Sequence, residues 1–534
     1  MQFFTKKSKR SNKTKEFGKL KKEVFLFSWI SEYFQKLQIS ESAHVITDQV
    51  CSDLDFEELF MFLDRTNSSI GQQYLYFSMR TVDEKLKITA EDEKIIKRIN
   101  SDEKLREMLE KQLSKLSSTE SFYIAKLFQD KFISAPSWYR FLPFLSIFSL
   151  VSILSLPFST VMVYVVPVLV IINMGIHYKN KNNLDHYISS LPELVKMHAV
   201  AKFISEFDPR IFNASEIRNS LRSIEKIKKH FYLFQMENRL QGDISNLSWG
   251  LVEIIKILLI LEPIMFFKAL RRINDNQNEI ASLYHALGRI DMLYSISSLR
   301  KGLDVFCIPD LLKDEEGLTA KSIYHPLIED CVENEIRTLD KSVLLTGSNM
   351  SGKTTFIRTI GVNIITANSL NTCFADSIQL PKMRLMSAIR ISDDLMDEKS
   401  YYFEEVSRLK EIIDSSEQEY KYIFLLDEIF KGTNTIERVS AGKAVLSYLA
   451  ANSNLIFVST HDIELTDFLR EEYNLYHFSE VITNDRVDFD YKLKEGKLKT
   501  RNAIRILEIN QYPKVVIKEA ESIAEKFDVK KPHR

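Results

Sequence analysis

Cysteine is scarce and scattered in this chain. Cys51, Cys307, Cys331 and Cys373 are the only four in 534 residues and form no CxxC pair. That excludes a disulfide framework and a Cys-type zinc site, and it fits a reducing compartment. Helix breakers are also few, with fourteen Gly and twelve Pro, so the abundant Leu, Ile, Lys and Glu are free to build long helices. Neither sign of charge is in excess. Lys and Arg number 72 against 73 Asp and Glu, a formal net charge of −1, so no long-range positive field covers the molecule, which speaks against wholesale nucleic-acid packing. The start lacks a continuous apolar core, since Phe3, Phe4 and Phe17 stand isolated, and no secretory signal is expected. What remains is a globular composition, 45% hydrophobic and 27% charged, with length for roughly three or four domains.

Basic residues crowd the front of the chain. Lys6, Lys7, Lys9, Arg10, Lys13, Lys15, Lys19, Lys21 and Lys22 face one acid, Glu16. Residues 1–23 read as a mobile basic arm, either a solvated tail or a contact for anionic lipid or nucleic-acid phosphates. Residues 24–130 space apolar side chains three and four apart and read as the first part of a helical core. A polar break at 64–71 is expected to be a turn whose Thr or Ser caps the next helix. Residues 181–318 read as the second part. Within it, 251–270 is a core or interfacial helix, because Glu253, Lys256, Glu262 and Lys268 interrupt its apolar run. Over 319–500 the pattern changes to short β-branched runs alternating with helices. Val343-Leu344-Leu345, Tyr422-Ile423-Phe424-Leu425-Leu426 and Leu455-Ile456-Phe457-Val458 read as buried parallel strands, an α/β nucleotide-binding layout. Residues 501–534 close the chain as a helical segment.

The sharpest shift lies in 131–180, where residues 141–176 contain no Asp, Glu, Lys, Arg or His. As one helix this stretch would be about 54 Å long, too long for a single crossing of a ~30 Å hydrocarbon core. A transmembrane helical hairpin turning at Leu156-Pro157-Phe158-Ser159 is expected instead. Trp138, Tyr139 and Tyr178 stand at its entrances, and Lys131, Arg140, Lys179 and Lys181 flank it, which would place both flanks in the cytoplasm. Ser146, Ser149, Ser152 and Ser155 form a small-residue stripe for close helix approach. The expected location is therefore a membrane, with a two-pass anchor through 141–176. The alternative is a buried hairpin of a soluble core, which makes the chain cytoplasmic.

Chemistry is concentrated after residue 340. Gly347-Ser348-Asn349-Met350-Ser351-Gly352-Lys353-Thr354 fits GxxxxGK[ST] directly after an expected strand and before a helix. In that setting backbone N–H groups wrap phosphates, the helix N-terminus adds its dipole, Lys353 reaches the β- and γ-phosphates, and Thr354 can ligate Mg²⁺. The strand at 422–426 delivers Asp427 and Glu428 at its carboxyl end, where α/β sheets bind ligands. Asp427 is placed to hold Mg²⁺ through water, and Glu428 to orient or deprotonate an attacking water. A third strand ends in Ser459-Thr460-His461-Asp462, making His461 a candidate γ-phosphate sensor. The plainer readings are a surface turn for the acids and a structural histidine.

Together these residues resemble the MutS family of ATPases, relatives of the ABC class. The likeness rests on the phosphate loop through Thr355, on Ser392-Asp393-Asp394-Leu395, on Leu425-Leu426-Asp427-Glu428-Ile429, on Lys431-Gly432-Thr433-Asn434-Thr435 and on Ser459-Thr460-His461. It continues through Tyr324-His325-Pro326-Leu327 with Asn334 and, more weakly, Leu63-Asp64-Arg65-Thr66 with Gly71 and Tyr74-Leu75. Roughly residues 50–130 and 200–525 are covered. The resemblance implies a multidomain fold, a long-helix α core of the MutS lever type with the apolar helical hairpin, followed by an α/β P-loop ABC-type ATPase domain. It implies Mg²⁺-dependent ATP hydrolysis, with ATP held by Gly347, Ser348, Asn349, Met350, Ser351, Gly352, Lys353, Thr354 and Thr355. Mg²⁺ would lie on Thr354 and Asp427, and Glu428, Lys353 and His461 would act in catalysis. Ser400, in Glu398-Lys399-Ser400-Tyr401, occupies the position of the family's signature serine, which completes a partner subunit's γ-phosphate site. A homodimer with composite ATP sites follows from that, with Asn434 and Thr435 on the same interface.

Departures from the family pattern shape the expected role. The sequence shows no mismatch-reading domain and no Phe-x-Glu wedge in a matching context. The position of the family's adenine-stacking aromatic falls near Cys331-Val332, which leaves ATP against GTP open. The charge-free hairpin lies between the helical halves, where family members extend levers toward a DNA clamp. The expectation is therefore a membrane-anchored MutS-like ATPase dimer whose levers act on a client protein that the sequence does not identify. One alternative is a DNA-binding ATPase of mismatch repair or recombination type with a core hairpin. Another is a nucleotide-gated membrane scaffold with little turnover.

Overall fold

The computed structural model describes residues 17–37, 43–130, 137–188, 190–212, 217–228, 255, 257–312, 317–338, 341–348, 350–390, 401–483, 486–498 and 503–529. The chain divides into two compact units. One is formed by 1–39, 63–78 and 89–302, the other by 40–62, 79–88 and 303–534.

The first unit is helical. Its longest buried element, Gln277–Gly302, carries Leu283, Tyr284, Leu287 and Leu293 into the core, and Ala90–Ser101 packs along it. The latter starts with a capping box, Thr89 and Asp92 satisfying each other's backbone amides. Asp92 also pairs with Arg289, and Glu93 with Arg300 at 2.8 Å, so one helical turn both caps itself and grips its neighbour. The turn expected at 64–71 is present. Ser68 Oγ accepts the Gly71 amide at 3.0 Å, and the buried Asp291 carboxylate accepts the Asn67 and Ser68 amides at 2.8 Å each. Lys21 Nζ donates to Asp64 Oδ2 at 2.8 Å, and the Gly18 amide donates to Ser298 Oγ at 2.9 Å. From Phe17 onward the basic stretch is thus seated on this unit, while residues 1–16 lie outside the described residues.

The two-pass membrane location expected from residues 141–176 is overturned. The charge-free stretch divides into helix Leu142–Leu154 and the apolar start of helix Met162–Ile188. The first has 13 residues and reaches about 20 Å, and the second reaches about 22 Å before His177, both short of a ~30 Å hydrocarbon core. Among the described residues no helix is long and apolar enough to cross a membrane, so the membrane anchor through 141–176 falls with it. The stretch lacks charge, but the bend at 155–161 leaves neither arm long enough to span. The serine stripe contributes to packing between the arms. Buried Asn173 donates to Ser149 Oγ at 3.0 Å and to the Leu258 carbonyl at 2.9 Å. Part of 251–270 falls in helix Leu261–Asn274, while 251–254 and 256 lie outside the described residues.

The second unit is built on a six-stranded sheet. In chain order its strands are β1 (Ser342–Thr346), β2 (Arg384–Ala388), β3 (Tyr422–Asp427), β4 (Leu455–Thr460), β5 (Tyr473–His477) and β6 (Lys494–Glu495), arranged β6-β5-β1-β4-β3-β2. The first five run parallel, and β6 adds an antiparallel edge. All three runs read as strands from the sequence are here, and every residue of β1 and β4 is buried. Near-continuous apolar strands are what a sheet covered on both faces requires. The covering helices include α1 (Lys353–Leu370), α2 (Tyr401–Ser416), α3 (Thr435–Ala451) and α4 (Ile463–Leu469). Phe424, Leu426, Ile456 and Val458 pack with Ile412, Leu446 and Leu449 in one core. A smaller four-stranded sheet from Asp310–Leu312, Thr319–Ile323, Asn334–Arg337 and Ser377–Pro381 completes the unit.

A short helix from early in the chain, Asp48–Asp53, belongs to this unit. Asp53 is 0% exposed. Its carboxylate accepts Ser387 Oγ at 2.6 Å, the Ile389 and Arg390 amides at 3.1 and 2.8 Å, and the Arg408 guanidinium at 3.2 Å. One buried anion therefore ties the end of β2 to helix α2. Asp55 adds ion pairs to Arg358 of α1 at 2.9 Å and to Arg390 at 2.7 Å.

The consequence for function lies in strand order. β4 sits between β1 and β3, with Ser459 opposite Leu345 on one side and Asp427 on the other. The chain ends leaving β1, β3 and β4 therefore emerge side by side at the carboxyl edge.

Candidate active site

At that edge β1 gives way to the glycine loop and α1. Gly352, the residue before α1, has φ 106°, a left-handed conformation that a side chain would disfavour. Lys353 is 3% exposed. Its ammonium donates to the Gly347 and Ser348 carbonyls at 2.8 Å each, and burial lowers its pKa from the ordinary lysine value. Thr354 Oγ1 donates to Asp427 Oδ2 at 2.7 Å, and Ser459 Oγ donates to the other oxygen of the same carboxylate. Asp427 is thus held from both sides, by α1 and by β4. Ser348 Oγ is buried with no hydrogen-bond partner among the described residues, an idle polar atom inside the loop. Met350 stands out at 73% exposure, and Thr355 lies half-buried in the first turn of α1. Asn349 and Ser400 lie outside the described residues, as does 391–399.

Glu428 begins the turn after β3. Its amide donates to the Ser459 carbonyl at 3.0 Å, which pins the turn to β4. Both carboxylate oxygens are taken, Oε1 by His461 Nε2 at 2.5 Å and Oε2 by Lys431 Nζ at 2.8 Å. The His461 hydrogen bond, followed by that of Lys431, holds the carboxyl down at about 2. The histidine picked out from the sequence therefore meets the acid picked out from the sequence, although 33 positions separate them. Next to His461, Asp462 is gripped in bidentate fashion by Arg438, both contacts at 2.7 Å. Asn434 caps α3, its side chain accepting the Glu437 amide at 3.1 Å, and Thr435 opens that helix.

Two side chains at this edge take parts that the sequence did not reveal. Tyr491 lies over the loop, where a Cβ added to Gly352 would come within 3.3 Å of its ring. It is 45% exposed, and Phe489 stands beside it with ring centroids 6.0 Å apart. Asn334 brings it there, donating to the Val332 and Tyr491 carbonyls at 3.1 and 3.0 Å. An aromatic face is thus supplied from about 140 residues downstream of the loop rather than from Cys331-Val332 itself. The second is Lys431, whose contact with Glu428 only the tight turn creates.

The set fits an anionic phosphate chain and a hard divalent cation. A buried ammonium, helix amides and an idle hydroxyl suit phosphate oxygens. A hydroxyl paired with a carboxylate supplies the hard oxygen donors that Mg²⁺ takes.

Residues 343–528 match the family model of MutS domain V. Among curated proteins, the DNA mismatch repair protein MutS of Listeria monocytogenes serotype 4b is 30% identical over 285 residues, covering 50% of this chain and 32% of that protein. The protein of the same name from Fusobacterium nucleatum subsp. nucleatum is 27% identical over 268 residues, 46% of this chain and 30% of that protein. That from Natronomonas pharaonis is 26% identical over 249 residues, 45% and 28% respectively. The match spans about a third of the length of these relatives.

Proposed function

We propose that this chain, whose residues 343–528 match the family model of MutS domain V, is a MutS-family protein that hydrolyses ATP and binds DNA, of mismatch repair or recombination type. The observation that carries the hydrolytic part is the meeting of Lys353, Thr354, Asp427, Glu428 and His461 at one sheet edge. Lys353 leaves the loop carbonyls to pair with phosphate oxygens. Thr354 and Asp427 would hold Mg²⁺, which would supply charge neutralisation to the phosphates. Glu428 orients the attacking water, and His461 donates toward the γ-phosphate. While tied to His461 and Lys431, Glu428 is a weak proton acceptor, so hydrolysis begins when nucleotide draws those two side chains away from it. Tyr491 stacks on the base. Replacing it by alanine is expected to raise the dissociation constant of a fluorescent ATP analogue by about tenfold, given the ~1–3 kcal/mol typical of base–aromatic stacking. An unchanged constant would remove Tyr491 from the site.

Two protomers complete each other's sites in this reading, with Ser400 reaching the partner's γ-phosphate. The DNA part is supported by the names and family of the relatives, and its test is salt dependence. Fluorescence anisotropy with duplex DNA should show binding that weakens steeply between about 50 and 200 mM salt, as release of counterions from several phosphates requires. No binding at the lower salt, with ATP or without it, would leave an ATPase that does not act on DNA.

A further inference from the structure

Helix α2 reaches the turn after Glu428 with a buried carboxylate. Glu405 is 2% exposed. Its Oε1 accepts the Lys431 amide at 3.1 Å, and the amides of Phe430 and Gly432 act on the same group. Its Oε2 has no hydrogen-bond partner among the described residues. A buried carboxylate with an idle oxygen is costly, and a similarly shaped apolar side chain would serve packing better. The same helix closes on the turn a second time, since a Cβ on Gly432 would sit 3.1 Å from Tyr402 Cβ.

That turn needs holding. Glu428 and Phe430 have φ 51° and 60°, left-handed conformations that residues with side chains keep only where the surroundings fix them. Lys431, whose amide Glu405 binds, is the residue whose ammonium meets Glu428 Oε2 at 2.8 Å. The path from Glu405 to the hydrolytic carboxylate thus runs through a single residue.

We propose that Glu405 is a positioning residue for hydrolysis: by fixing the amides of the 430–432 turn it sets where Lys431 and Glu428 stand, and so how Glu428 faces the attacking water. The inference rests on the hydrolytic reading above. It adds a residue on another helix, one that acts through Lys431 rather than at the reacting atoms.

The test uses the full chain and two readouts, steady-state turnover of Mg-ATP and equilibrium binding of a fluorescent ATP analogue. Misplacing a reacting group by about 1 Å can cost ~100-fold in rate, so Glu405→Ala is expected to lower kcat by about 10- to 100-fold. KM and analogue affinity should stay near wild type, the mark of an interaction that serves only the transition state. Glu405→Gln keeps a carbonyl acceptor for the Lys431 amide and should recover most of the rate. Gly432→Ala, which disturbs the turn while leaving Glu405 intact, should slow turnover in the same selective way. Should Glu405→Ala fail to bind the analogue, the other two variants carry the test. Unchanged kcat per binding site in Glu405→Ala, a Gln variant as slow as the Ala one, or rate and affinity falling together would each overturn the proposal. A wild-type chain that binds the analogue without turning over ATP would sink the hydrolytic reading, and this inference with it.

Discussion

Glu428→Gln is expected to stop turnover while leaving ATP bound. The substitution keeps size and one hydrogen-bond acceptor but removes the charge that meets His461 and Lys431. Loss of a positioned general base typically costs about 10²- to 10⁴-fold in rate, and kcat should fall within that range. Affinity should hold or tighten, because Lys353 and the loop amides, which would contact the phosphates, are untouched. Single-turnover phosphate release separates these effects. If the variant turned over at the wild-type rate, the base would lie elsewhere at this edge, with Asp427 the next candidate. The resting acidity matters here. With its carboxyl held at about 2 by His461 and Lys431, Glu428 is ionised in the resting site.

Asp53→Ala is expected to be the most damaging change to stability away from the site. Five groups donate to this buried carboxylate, Gln49 Nε2, Ser387 Oγ, the amides of Ile389 and Arg390, and Arg408. Deleting it leaves a largely buried guanidinium without its anion and two amides without their acceptor. Breaking a buried ion pair from one side costs about 3–5 kcal/mol. The transition to follow in a denaturant titration is the one that added ATP analogue moves to higher denaturant, since on the proposed function only the second unit would respond in that way. Asp53→Asn retains one acceptor and should lose less. Equal midpoints for Asp53→Ala and wild type would mean that residues 40–62 merely rest against the sheet.

How much of this was legible in the sequence differs between the two units. The nucleotide edge was largely so, because its signals are local: a glycine loop between a strand and a helix, two acids at a strand end, and a histidine at another. Strand order, which puts His461 against Glu428, is not local, but parallel strands that read as unbroken apolar runs left few arrangements. Tyr491, Glu405, Asp53 and the contact of Lys431 with Glu428 were missed for one reason. Each acts through a contact made by the backbone path, an Asn334 bridge, a left-handed turn, a helix face or a short helix from far upstream, and apart from Lys431, in the Lys431-Gly432-Thr433-Asn434-Thr435 run, none sits in a recognisable pattern. The hairpin misled in the opposite direction. Absence of charge over 141–176 is a genuine feature, but crossing a membrane also needs unbroken length, and the bend at 155–161 takes that away. Asn173, bonded to Ser149 inside the hairpin, is a polar anchor that composition alone treats as neutral.

The central claim is that the carboxyl edge of the β1, β3 and β4 strands hydrolyses ATP. The most direct test is phosphate release from ATP by the full chain with Mg²⁺, beside Lys353→Ala and beside wild type in excess EDTA. The account predicts multiple-turnover release by wild type that falls to background in both comparisons. Release that persists in Lys353→Ala, or a wild type that binds ATP yet releases no phosphate with Mg²⁺ present, would contradict it.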